Sequence, residues 1–358
     1  MYYFNNNLKV TGFTYLSHSM NTNELIKIDP TSAIPKYQQL IDSILDAIEN
    51  GIIDRGELLP SINEVSANHH MARMTVAKAY EELRQRGVID ARHGKGFFVT
   101  STQTHVELNV FVLLDSLSPF KEVLYEAIVK AFGDEAVVQV FFHHHNMKVF
   151  ENLVLSHIGH FNYYLIMPHF QDDVSEILRK VPKEKLIVMD IDSPQLGEDY
   201  AIIYQDFEKN ILKGLTDGLE LIKKYKSLSL VLSRQIFQFT PNGIINGFLK
   251  FCYDNNIPNH ILSELEEENL DVGHAYILFR ENEIIKFLNW SNKRGFKLGH
   301  DIGLLSYDDT PIKEILADGI TVISNDFSLM GKRAVEMIIQ KKKGRIANDC
   351  SFIQRKSL

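Results

Sequence analysis

Apolar residues recur at helical spacing near the front of the chain and gather into short blocks further along. In "IPKYQQLIDSILDAIENG", Ile34, Tyr37, Leu40, Ile41, Ile44, Leu45 and Ile48 follow i, i+3/i+4 spacing. Pro35 at the first turn and Gly51 just past the end complete the pattern of a helix. "LPSINEVSANHH" opens with Ser61 and Glu64 at the spacing of a capping box and predicts a helix of about two turns. A tight turn over 69–71 leads into "RMTVAKAYEELRQRG", where Val76, Tyr80 and Leu83 form an inward stripe. Gly87 supplies its left-handed stop. "VIDARHGKGFFV" then alternates and turns over 94–96, as a hairpin does.

Beyond the polar stretch "STQTHVE" (101–107) the pattern changes. "LNVFVLL" (108–114) reads as a buried strand and 119–132 as an amphipathic helix. "AVVQVFF", "YYLIM", "KLIVMDI", "SLSLVLS", "AYILF" and "IGLLSY" follow, separated by helix-like stretches. Such alternation predicts parallel sheets with helices on both faces, and roughly ten strands suit two of them. Ligands of such folds sit at the carboxyl ends of strands. The expected fold class is α/β with an N-terminal α+β winged helix-turn-helix. The expected divisions are a disordered tail over 1–30, a winged helix-turn-helix over 31–100, a linker over 101–107 and a ligand-binding domain of two sheets over 108–358.

Composition refines this picture. The 358 residues are 45% hydrophobic and 23% charged, ordinary values for a chain of two or three domains. Two cysteines, Cys252 and Cys350, cannot make a disulfide framework and read as buried thiols in a reducing compartment. No apolar run approaches membrane-spanning length. The first 20 residues lack the layout of an export signal, so the expected location is cytoplasmic. Those residues read either as a disordered tail or as lying upstream of a start at Met20.

The formal net charge is −8, yet residues 73–100 hold six basic and three acidic side chains. An acidic body with one basic corner fits a protein that touches a polyanion with a small face. In the helix-turn-helix, the outward residues Arg73, Met74 and Thr75 at the start of the second helix would meet base edges in the major groove. The hairpin would bring Arg92, His93 and Lys95 to phosphate or minor groove. Lys78, Arg84 and Arg86 read as solvated unless they reach phosphate.

Residues 34–100 resemble the DNA-binding domain of the GntR family through "PKYQQL", "LPS", "EV", the R-x-T-V-x-x-A-Y-x-x-L spacing and the G-x-G-x-F-V ending. The resemblance implies that Asn63, Arg73, Thr75, His93 and Gly94 face operator DNA and that the protein works as a homodimer on a pseudo-palindrome. Asn63 stands where many relatives have arginine. Ala72 stands where Ser or Thr usually caps the recognition helix, a loss of ~1 kcal/mol.

In the body, strand-end polar residues carry the candidate chemistry. Asp115 and Ser116, Asp190 and Asp192, Arg280 and Glu281, and Asp308 and Asp309 all follow predicted strands. Ionised carboxylates accept several hydrogen bonds and suit hydroxyl-rich ligands, although helix N-capping is an equal claim on them. Residues 106–358 are similar to the LacI-type effector domain through "DIGLLSYDDTPIKEILADGITVISNDFSLMGKRAVEMII", and "IIYQDFEKNILKGLTDGLELI" resembles the crossing between its subdomains. The resemblance implies a two-lobed, periplasmic-binding-protein-like effector domain with parallel sheets and a cleft between the lobes lined by Asp115, Asp190, Arg280, Asp309 and Asn325, with Phe120, Phe239 and Phe327 as candidates to stack on a sugar. The family's usual clamping arginine falls on Ile244, for which Asn242 or Arg280 could substitute.

"HHH" (143–145) could chelate or reach the cleft, but no metal and no cofactor are expected. "SELEEENLD" reads as a solvated face, "KKKGR" as helix C-terminal cations, and Trp290 as packing or dimer contact rather than a ligand contact. Signatures of hydrolases, metalloproteases, phosphate loops and dinucleotide sites are absent from the sequence, so no enzyme is expected. The reading is a repressor of carbohydrate-utilisation genes whose operator affinity responds to a bound monosaccharide. The alternatives are an activator or dual regulator responding to a non-sugar or phosphorylated molecule and, more remotely, an enzyme on a regulator-like scaffold.

Overall fold

A computed structural model of the chain describes residues 25–92, 94–101, 108–232 and 241–358. The expectations for the N-terminal tail, most of the linker, His93 and Phe239 fall outside these residues. Contacts divide the chain after residue 106 into two compact units.

The first unit contains α1 (Lys36–Glu49), α2 (Ile62–Asn68), α3 (Arg73–Gln85), β1 (Ile89–Arg92) and β2 (Gly96–Val99). The apolar stripe of α1 turns inward, with Leu40, Ile41 and Ile44 fully buried against Val76, Tyr80 and Leu83 of α3. Both halves of the capping box on α2 form: Glu64 N donates to Ser61 Oγ at 3.2 Å, and Ser61 N donates to Glu64 Oε2 at 2.7 Å. Gly87, at φ 71°, ends α3 as expected. β1 and β2 pair antiparallel across the glycine turn, and Leu58 adds a bridge to Phe98 that the sequence pattern did not reveal.

The second unit holds two six-stranded sheets among the described residues. The first, ordered β13-β7-β6-β5-β3-β4, comprises β3 (Leu108–Leu114), β4 (Ala136–Phe142), β5 (Tyr163–Ile166), β6 (Leu186–Asp190), β7 (Ala201–Tyr204) and β13 (Gly344–Ala347). The second, ordered β14-β12-β11-β10-β8-β9, comprises β8 (Ser227–Val231), β9 (Asn259–Leu262), β10 (His274–Leu278), β11 (Gly303–Tyr307), β12 (Thr321–Asn325) and β14 (Cys350–Ile353). All seven quoted apolar runs form strands. The unquoted ones, β7, β9, β12, β13 and β14, are four or five residues long. Pairing is parallel throughout except for β14, which runs antiparallel to β12.

Both faces of each sheet are covered, which is why the strands read as continuous apolar runs. In β3, Val110, Val112 and Leu114 pack under α4 (Pro119–Phe132) and α12 (Phe327–Ile339), while Phe111 meets Phe141 and Phe161 on the other face. In the second sheet, Leu228, Leu230 and Ile277 pack against α7 (Phe207–Asp217) and α9 (Asn242–Asp254). Tyr276, Leu278 and Leu304 pack with Ile284 and Phe287 of α10 (Glu281–Lys293). Trp290 is partly buried in that second cluster, as packing. α5 (Met147–His157), α6 (Ser175–Leu178), α8 (Leu219–Ile222) and α11 (Pro311–Ile315) complete the unit.

The chain passes between the two sheets at Gln205–Asp206, at Asp326 and at Asn348–Asp349. Asn348 ties these passages together: its N donates to Tyr204 O at 2.7 Å and its Nδ2 to Asp326 O at 3.0 Å. Asp326 N donates to Asp349 O at 2.9 Å. The carboxyl ends of both sheets therefore meet at one cleft.

Candidate functional site

In the first unit the start of α3 is presented to solvent. Arg73 and Asn63 are exposed, Met74 is 79% exposed and Thr75 is half-buried. Gly94, at φ 72°, and Lys95 are exposed at the hairpin turn. The other basic groups of α3 are engaged within the unit. The Lys78 ammonium lies 3.9 Å from the centre of the Tyr37 ring, Arg84 pairs with Glu81 at 3.3 Å, and Arg86 pairs with Glu82. Ala72 is the N-cap of α3 and supplies no side-chain acceptor. The turn before it is held from the other side, where Ser66 Oγ donates to Met71 O at 2.7 Å and Met71 N donates to Ser66 O at 3.1 Å.

In the second unit, a cavity of about 500 Å³ lies between the carboxyl ends of the two sheets. One wall is built from the ends of β3 to β7. Asp115, following β3, is paired with Lys121 of α4 and lies 3.4 Å from His145 Nε2. Burial alone would raise the Asp115 carboxyl, but the Lys121 ammonium and the imidazoles of His169 and His145 outweigh it and hold it at about 2. His169 Nδ1 meets Asp190 Oδ2 at 2.8 Å, and Gln205 Nε2 donates to Asp190 Oδ1. Burial opposes charge on His169, yet the Asp190 hydrogen bond and the Asp190 and Asp115 charges raise its pKa. Burial lowers His145. His143 sits behind the wall, fully buried against Phe150 and Phe170 with Nε2 3.1 Å from Met167 O, and burial lowers it to about 4.

The opposite wall comes from the ends of β10 and β11. Arg280, the N-cap of α10, lines it together with Phe279, Glu281 and Asp308. Burial, then the charge of Asp190 to a smaller degree, pushes Asp308 up to about 6, against the opposing effect of Asn325 and Lys313. Lys313 of α11 is 2% exposed and donates to Tyr307 O at 2.9 Å and Asp308 O at 2.6 Å. Phe120 and Phe327 stack on one another at 4.9 Å and both line the cavity. Ile244, at the position of the family's usual clamping arginine, lines it as an apolar side chain.

His145, His169, Asp190 and Asp308 share an unusual backbone, with φ of 55°, 46°, 76° and 55°. Non-glycine residues at positive φ cost energy and cluster at functional positions. Here Asp190 ends β6, Asp308 follows β11 directly, His145 and His169 lie three residues beyond β4 and β5, and all four line the cleft.

Of the expected cleft residues, Asp115, Asp190 and Arg280 line the cavity. Three do not. Asp309 is held by Arg355, with Nη1 to Oδ1 at 2.9 Å and Nη2 to Oδ2 at 2.7 Å, because it points away from the strand end that Asp308 occupies. Asn325 is 3% exposed and supports Asp308, donating Nδ2 to Asp308 Oδ1 at 2.8 Å while accepting from Asn210 at 2.9 Å. Asn242 begins α9 on the exposed side, leaving Pro241 and Ile244 to the cavity. Lys121, His169, Gln205 and Lys313 line the cavity without having been expected there. The signal for His169 and Gln205 was their place directly after an apolar run. Lys121 and Lys313 had none, each being a single cation at the third residue of its helix.

Comparison with known proteins agrees with both units. The family model of bacterial regulatory proteins, gntR family, matches residues 36–99, and that of the periplasmic binding protein-like domain matches residues 246–355. The HTH-type transcriptional repressor YtrA of Bacillus subtilis is 36% identical over 76 residues, 21% of this chain and 58% of that protein. The probable fructoselysine utilization operon transcriptional repressor of Escherichia coli is 34% identical over 65 residues, 18% of this chain and 27% of that protein. The chain thus spans little more than half, or less, of these relatives' length. Among solved structures, a dimeric lac repressor superposes with a TM-score of 0.59 at 18% identity, covering 70% of this chain and 98% of that one. The probable maltose operon transcriptional repressor malR of a Staphylococcus does so at 0.57 and 16%, covering 72% and 99%. The chain therefore joins a gntR-family helix-turn-helix domain to a periplasmic binding protein-like domain with the fold of the lac repressor core.

Proposed function

We propose that the chain is a ligand-controlled transcriptional repressor of carbohydrate-utilisation genes, acting as a cytoplasmic homodimer on operator DNA. The observation that carries this reading is the union, in one chain, of an exposed α3 N-terminus with a two-lobed cleft of about 500 Å³. That volume suits a small ligand. The cleft charges are largely paired within the protein, Asp115 with Lys121 and Asp190 with His169, which favours a neutral, hydroxyl-rich ligand over a phosphorylated one. Phe120, Phe279 and Phe327 offer apolar surface to a sugar ring. A lac repressor dimer bound to operator is a precedent for such an assembly. A sugar that binds the two lobe arrangements unequally shifts the population competent for DNA. The helix-turn-helix contacts in this reading are Asn63, Arg73, Thr75, His93, Gly94 and Lys95, and the uncapped first turn of α3 leaves N–H groups for a phosphate.

The test is a gel shift on the operator with a panel of monosaccharides. One sugar changes operator affinity; affinity unchanged across the panel refutes a sugar effector. Arg73→Ala weakens specific binding by ~1–3 kcal/mol and relaxes one operator position, whereas Lys95→Ala weakens all sequences alike and lowers the salt slope. Unaltered footprints for both variants refute the placement of α3 and the hairpin on DNA.

A further inference from the structure

Gln205 occupies the first passage between the sheets, between Tyr204 at the end of β7 and Asp206, whose side chain caps α7. It is 5% exposed and lines the cavity. Its amide orientation is dictated by its neighbour. An ionised carboxylate only accepts hydrogen bonds, so the Gln205 nitrogen must face Asp190 Oδ1 and the amide oxygen is left over. That oxygen, Oε1, is buried and has no hydrogen-bond partner among the described residues. Buried acceptors are rarely left so, and an exception at a cavity wall calls for a donor from outside the chain.

The surrounding groups sharpen what the donor must be. Asp190 is already occupied by His169 and Gln205, Asp115 by Lys121, and Asn325 by Asp308 and Asn210. Unmet on this wall are the Gln205 acceptor and the ring nitrogens of His145, which a hydroxyl, able both to donate and to accept, can serve.

We propose that Gln205 is a specificity-determining residue of the effector site, its Oε1 accepting a hydrogen bond from one hydroxyl of a neutral polyol, with Asp190 as the positioning residue that holds the amide. This rests on the cleft being an effector site. It also gives the ligand a grip on the joint between the lobes. Gln205 N donates to Asp190 O at 2.9 Å, and the adjacent Tyr204 O receives Asn348 N at 2.7 Å. A ligand bonded to Gln205 therefore acts on the strand that joins the two sheets.

The experiment uses the full chain and calorimetric titration with an aldopentose and aldohexose panel, followed by the monodeoxy analogues of whichever sugar binds best. In the unsubstituted protein one deoxy analogue binds about tenfold more weakly than its parent, the size of one net hydrogen bond. In Gln205→Met the parent sugar loses about tenfold, that one deoxy penalty disappears, and the penalties at other positions remain. Gln205→Asn keeps the amide but withdraws it by one carbon; should the Met variant fail to fold, the Asn variant must show the same erased penalty. Identical deoxy penalties in variant and unsubstituted protein overturn the assignment of Gln205 while leaving a sugar effector standing. A panel in which no sugar binds the unsubstituted protein overturns both.

Discussion

Asp308 offers a direct test of the cleft electrostatics. Its carboxyl is pushed up to about 6 from an ordinary 3.8, chiefly by burial. Because the folded-state value lies above the unfolded one, the native state prefers the protonated acid. Stability is therefore gained as pH falls through 6 and the gain is complete below about 4. At neutral pH the full penalty is present. One pKa unit corresponds to about 1.36 kcal/mol, which sets a ceiling of about 3 kcal/mol, and partial contact with the cleft lowers this to ~2 kcal/mol. Asp308→Asn removes the charge and keeps the acceptor that receives Asn325 Nδ2 at 2.8 Å. Asparagine also tolerates the φ of 55° at this position. Thermal unfolding followed from pH 4 to 8 is the assay. The variant melts ~4–8 °C higher at pH 7.5 and converges with the unsubstituted protein near pH 4. A variant that is less stable by the same amount at both pH values refutes the argument. A stabilising substitution at this position would mark Asp308 as a residue kept for ligand binding rather than folding.

Two further outcomes follow from local packing. Ala72→Ser supplies the missing acceptor at the start of α3 and stabilises the first unit by ~1 kcal/mol, read as a rise in its denaturation midpoint. An unchanged midpoint refutes the reading that an uncapped first turn costs α3 stability. Gly247→Ala places a methyl group 2.5 Å from Glu208 O and against Ile211, where α9 meets α7. The backbone cannot yield there cheaply, so denaturant unfolding shows a loss of ~1–3 kcal/mol, and a neutral result refutes the tightness of that helix pair.

Local order was legible in the sequence wherever one short stretch carried the whole cause. Ser61 and Glu64 form their box because both partners lie within one turn, and Gly87 stops α3 because its backbone alone permits the left-handed turn. Six of the seven quoted apolar runs became strands with both faces largely covered, while β4, at the sheet edge, is only partly buried. The short strands β7, β9 and β13 escaped notice because four residues carry too little pattern, and their pairing is supplied by neighbours far along the chain.

The two-module organisation, the helix-turn-helix and the existence of a cleft at strand ends follow from periodicity and motif, since each is set by local residue order. Which polar residues face that cleft was decided only by tertiary structure. Asp308 and Asp309 are adjacent, yet one enters the cavity at positive φ and the other turns to Arg355, 46 residues away. Asn325 ends β12 and donates its side-chain amide to Asp308. Lys121, His169 and Gln205 became cleft residues because the fold set Asp115 and Asp190 beside them, and a buried carboxylate must find partners wherever the chain brings them.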